Sequence, residues 1–176
     1  MISIRSSVFE TNSSSSHSIC VKTGTPHIDR EAITEDIKAR LDNTDRWNLS
    51  KERTCYGRAP FAVLTTFTEK VLYYVANKCG YGTTKEDFYD ELEPVAEIIR
   101  EFYPHFNGFT VDHKDERYDY SIGGVDECIF SKYMDKDRIR DFLTNDDMFV
   151  VCDGDEYNIF TDMWKFGIIN GKEVDY

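Results

Sequence analysis

Apolar positions recur at two spacings along the chain, and each spacing predicts a kind of element. Ile33, Ile37 and Leu41 are four residues apart, which lines up one face of a helix. Asp29 ahead of them suits an N-cap, and Ile28 is placed to pack on Ile33 as a hydrophobic staple. A first helix is therefore predicted from residue 29. Phe61, Leu64, Phe67, Val71, Leu72, Val75 and Ala76 cover most of a helical circumference. A second helix over 60–79, opened by Pro60 and stopped by Gly80, should be the buried one. Phe88, Leu92, Val95, Ile99 and Phe102 form an apolar stripe over 84–102. Thr84 and Asp87 resemble a capping pair at its start, Pro94 is expected to kink or split it, and Pro104 ends it.

Beyond residue 108 the period falls to two. Phe109 and Val111, then Tyr118, Tyr120 and Ile122, alternate with polar residues, which predicts a hairpin turning at 114–117. Ile139, Phe142 and Leu143 mark a short helix over 137–143, and 148–152 reads as a strand. Asn170-Gly171 is the strongest hairpin turn signal in the chain. At the other end, Ile2 and Ile4, then Ile19 and Val21, suggest short strands. The expected class is α+β: short N-terminal strands, three helices, then a largely antiparallel sheet of hairpins, in a single domain over 1–176.

Composition narrows the class. Aromatic residues make up 14% of 176, enough for one compact core and incompatible with disorder throughout. No apolar run approaches the ~20 residues of a membrane-spanning helix, and the first residues lack the basic-then-apolar order of a secretory signal. The five cysteines are odd in number and none forms a C-x-x-C pair, which predicts reduced thiols and a cytoplasmic setting. His17, His27, His105 and His113 are scattered, so neither a metal site nor a cofactor is expected.

Charge is uneven. Residues 1–83 hold 11 basic and 9 acidic side chains, whereas 84–176 hold 10 and 24, giving the net −12 of the chain. An acidic half repels nucleic acid and attracts basic surfaces, including those of proteins that hold DNA or RNA.

Four groups of residues carry candidate chemistry. The first is the polar loop of Glu10, Asn12, Ser13, Ser14, Ser15, Ser16 and His17. Small side chains let backbone N–H groups bind an anion. Here Ser13 to Ser16 with Asn12 would hold a phosphate, Arg5 would neutralise it, His17 would act as base or acid, and Glu10 would orient His17. The loop has no glycine and matches no nucleotide-binding motif. Its plain alternative is a solvated turn. The string from Arg5 to Ile19, R-S-S-V-F-E-T-N-S-S-S-S-H-S-I, resembles the start of small proteins of phages and mobile elements of Gram-positive bacteria. That resemblance covers 15 residues. It implies a host-cytoplasmic setting and an anti-defence role, anti-CRISPR activity among the possibilities.

The second group is Glu86, Asp90, Glu93, Glu97 and Glu101, a single stripe on the third predicted helix. The stripe is about 22 Å long, with carboxylates every ~5–6 Å, a scale comparable to the phosphates of one nucleic-acid strand. The third is the carboxylate cluster Asp146, Asp147, Asp153, Asp155, Glu156 and Asp162, with a similar tip at Asp112, His113, Asp115 and Glu116. It falls short of the twelve-residue calcium loop and reads as acidic hairpin tips. The fourth is the basic stretch Lys38, Arg40, Arg46, Lys51, Arg53 and Arg58, with Trp47 and Tyr56. It suits either single-stranded nucleic acid or a role as an intramolecular or interfacial partner for the acidic half of the chain.

The leading expectation is an acidic binding protein that presents Glu86, Asp90, Glu93, Glu97 and Glu101 to a basic nucleic-acid-binding host protein, with a CRISPR effector nuclease as the specific target. The competing expectation is an enzyme that acts on a nucleotide or another phosphate-bearing substrate through the Ser-rich loop.

Overall fold

The structure is a computed structural model, and it describes residues 3–5, 17–22, 27–52, 62–79, 83–112 and 135–153. The first helix, α1 (Arg30–Lys38), forms where expected. The Asp29 carboxylate caps it by accepting from the Ala32 N–H at 3.0 Å, and Ile33 and Ile37 are its buried face. Leu41 lies past its end and bridges to Trp47 instead.

The second helix starts later than the sequence suggests. Ala62–Leu64 is a strand, β4, and the helix α2 runs Phe67–Lys78. Thr66 and Glu69 explain the shift. They form a reciprocal capping box, and Glu69 takes the N–H groups of both Thr65 and Thr66. This satisfies donors that Pro60 has no means to satisfy. As the apolar pattern predicts, α2 is buried almost all round, including Val71, Leu72, Tyr73, Tyr74 and Val75. Helix α3 (Lys85–Phe102) is one uninterrupted helix through Pro94. Pro94 has no N–H for the Asp90 carbonyl, and Asp90 is exposed, so water can serve that oxygen. Thr84 caps α3, and its hydroxyl also meets the Asp87 carboxylate at 2.7 Å. Helix α4 (Lys136–Thr144) buries Ile139, Phe142 and Leu143.

The sheet departs most from expectation. Strands β1 (Ser3–Arg5), β2 (His17–Lys22), β6 (Met148–Asp153) and β4 lie in the order β1-β2-β6-β4, each pair antiparallel. The late strand β6 therefore sits between an N-terminal strand and the strand before α2. Of the late sheet of hairpins, the parts predicted over 114–122 and 157–176 lie outside the described residues. β6 needs partners on both edges because it is central. Val150 and Val151 point to opposite faces and both are fully buried. Val150 and Cys152, with Leu64, face the helices. Phe109–Thr110, predicted as one arm of a hairpin, is a short strand β5 that pairs in parallel with β3 (Trp47–Asn48). The Trp47 and Phe109 rings explain that choice, packing 5.8 Å apart within the core. What is met is the α+β content.

Candidate functional site

The polar loop falls mostly beyond view. Glu10, Asn12, Ser13, Ser14, Ser15 and Ser16 lie outside the described residues. Arg5 is the last residue of β1 and His17 the first of β2, where its backbone partners Asp153.

The acidic stripe is placed in full, and the structure divides it. At the C-terminal end each carboxylate meets a cation of the protein itself. Glu93 pairs with Arg100 at 2.9 Å, Glu97 with Lys136 at 2.6 Å and Glu101 with Arg140 at 2.8 Å. The last two pairs tie α3 to α4. The Lys136 ammonium holds the Glu97 carboxyl below its ordinary value, and Glu97 raises the Lys136 pKa in return. Arg30 adds to this end of α3, donating to the Glu101 carbonyl at 2.7 Å and lying over the Phe102 ring. The sequence hides these pairs because Lys136 and Arg140 are 39 residues away from their partners.

At the N-terminal end, Glu86 and Asp90 are exposed, and no ion pair reaches them among the described residues. Tyr89 lies beside them. It is 44% exposed, the one exposed large hydrophobic among the described residues. Its ring meets Phe88 edge-on at 5.2 Å, so the buried neighbour helps fix its direction. Glu86, Tyr89, Asp90 and Glu93 are neighbours on a helix surface by their i, i+3 and i+4 spacings. Sequence reasoning missed Tyr89, which breaks the apolar stripe one residue after Phe88. Helix electrostatics accounts for part of this acidity, since Glu86 and Asp87 are in the first turn, where the helix dipole favours them. It does not account for Asp90 or for Tyr89.

In the other groups several described members take structural roles, while His113, Asp115, Glu116, Asp155, Glu156 and Asp162 lie outside the described residues. Trp47 is fully buried, and its Nε1–H donates to Glu52 at 2.9 Å. Arg40 donates to the other Glu52 oxygen at 3.0 Å, and Lys38 pairs with Glu35. Trp47 is thus unavailable to stack on a base. The cations placed with partners here meet acids of the same half of the chain, not the acidic half. Arg53, Tyr56 and Arg58 lie outside the described residues. In the carboxylate cluster, Asp146 accepts from His27 Nδ1 at 2.6 Å, and this bond, with the charge behind it, raises the His27 pKa. No group of metal-ligating side chains occurs among the described residues. No helix there is long and apolar enough to cross a membrane. Cys79 is a buried free thiol, and burial pushes it up to about 12.

One buried charge stands apart. Lys70 in α2 is 1% exposed, and its Nζ donates to the carbonyls of Asn145 at 2.8 Å and Met148 at 3.1 Å. It fastens α2 to the turn that leads into β6. No protein-family model matches the chain, and neither a curated protein nor a solved structure matches it.

Proposed function

We propose that this chain is an acidic binding protein that occupies a basic surface of a nucleic-acid-handling host protein and thereby inhibits it. The N-terminal half of α3 is the contact. The observation that carries this reading is the patch of Glu86, Tyr89 and Asp90, an exposed aromatic flanked by carboxylates with no cation among the described residues. Carboxylates accept from arginine in paired hydrogen bonds, and a tyrosine face stacks on a guanidinium. Tyrosine also contributes heavily to protein interfaces. The net charge of −12 favours fast, steered encounter with such a surface. Glu93 joins the contact by exchanging its exposed pair with Arg100 for a partner cation. Glu97 and Glu101 serve the α3–α4 junction.

The resemblance of the N-terminal string to phage and mobile-element proteins makes a guide-loaded CRISPR effector nuclease the target to test first. Purified nuclease should be retained by the immobilised chain at low salt and released at high salt. Glu86→Gln, Tyr89→Ala and Asp90→Asn together should abolish retention. Glu97→Gln with Glu101→Gln should weaken it far less. The absence of retention at low salt overturns the nuclease as target. Undiminished retention by the triple variant overturns the α3 patch.

A further inference from the structure

A cavity of about 220 Å³ opens where the N-terminal ends of α1 and α2 meet the turn between α4 and β6. Ile33, Phe67 and Leu143 give it an apolar wall, and Asp29, Asp36 and Asp146 are the carboxylates that line it. Two helix N-termini on one cavity ordinarily favour an anion. Here the amides are already taken by the protein's own carboxylates. Asp29 accepts from Ala32, Glu69 from Thr65 and Thr66, and Asp36 from both the N–H and the hydroxyl of Thr68. The cation lining the cavity is Lys70, and its Nζ is directed at the Asn145 and Met148 carbonyls. His27 covers Asp146. Asp36 is half-buried, and among the described residues its hydrogen bonds come from neutral Thr68 donors and no cation pairs with it. Each carboxylate oxygen keeps a lone pair beyond the one that Thr68 uses, and a cation there would gain a charge-assisted hydrogen bond.

We propose that this cavity binds an organic cation, an ammonium or guanidinium head on a short apolar stem, with the head toward Asp36 and the stem on Ile33, Phe67 and Leu143. The size fits a small ligand. A cavity of ~150 Å³ holds one benzene, so this one accommodates about eight to ten non-hydrogen atoms by the same scale. The proposal is independent of the α3 patch, which shares no residue with it.

The test is titration calorimetry of the full chain with n-butylguanidinium and with n-butylurea, its neutral counterpart of the same shape. The cation should bind saturably at one site. Butylurea should bind about tenfold more weakly or worse, the difference between charge-assisted and neutral hydrogen bonds. Asp36→Asn should weaken the cation by a similar factor, and Ala32→Phe, which fills the cavity, should abolish binding. N-acetylarginine methylamide separates the two sources of such a head. Binding equal to butylguanidinium assigns the site to an arginine side chain of a polypeptide, and weaker binding assigns it to a free amine or guanidine. No saturable binding of butylguanidinium, or equal binding of butylurea, overturns the proposal. If Asp36→Asn loses its fold along with the Thr68 cap, the two probes on the wild-type chain still decide.

Discussion

Lys70 brings an ammonium group into a core of tyrosines and valines, and two backbone carbonyls receive it. Burial lowers its pKa from 10.5 to about 8, against the pull of Cys20, Asp146 and Asp141. A neutral amine has two hydrogens, which matches its two carbonyl acceptors. Below about 8 the lysine is charged in both the folded and the unfolded chain, and the cost of burying that charge is fully present. Between about 8 and 10.5 the unfolded chain binds more protons, so stability rises with pH. Replacing Lys70 by Met removes the titration and leaves two carbonyls without their donor. At neutral pH the lost carbonyl bonds and the relief from the buried charge oppose each other, so the informative quantity is the trend. A deficit of the variant relative to the wild type should open and widen as pH rises through the window above 8. Urea unfolding of both proteins across that window measures it, because the difference cancels every other titrating group. A deficit that stays flat with pH contradicts the burial argument.

Elements were legible where periodicity and a cap agreed. Asp29 with Ile33 and Ile37 gave α1, and Thr84 with the Phe88-to-Phe102 stripe gave α3. The pattern is ambiguous where one residue points against its neighbours. Pro60 suggested a helix start, yet Thr66 and Glu69 satisfy more backbone donors and set the start of α2. Thr66→Ala should therefore cost about 1 kcal/mol, within the 0.5–2 range of such caps, and Thr66→Ser should cost less. Thermal unfolding of the two variants checks this, and equal losses from both contradict the capping role. Of the two outcomes expected at Pro94, a split does not occur, since water can serve an exposed carbonyl left without a donor and α3 continues. At the site, the stripe itself was legible as helix periodicity. Its division was not, because Lys136 and Arg140 reach Glu97 and Glu101 only once α4 packs on α3.

For the whole molecule, topology lay beyond the pattern. Nothing local says that His17–Lys22 will pair with Met148–Asp153, more than a hundred residues away. A burial argument comes nearest, since a run such as Phe149-Val150-Val151-Cys152 reads as a central strand in want of two edges. Charge acts at the same scale and in two opposing directions. A chain of net charge −12 repels itself when folded, and salt relieves that repulsion. Salt also screens the α3–α4 and other surface pairs, but exposed pairs of this kind contribute little. Screening should thus favour the fold on balance. The Debye length shortens from about 30 Å at 0.01 M to about 8 Å at 0.15 M, so most of the change belongs in that interval. The unfolding temperature should rise across it, while retention of a basic partner by the Glu86–Asp90 patch falls, because steering and contact there depend on the charge that salt screens. Measured on one preparation, the two responses should diverge. A fold that weakens with salt shows that the ion pairs outweigh the net repulsion. Partner retention that is indifferent to salt shows that the contact is not the acidic face of α3.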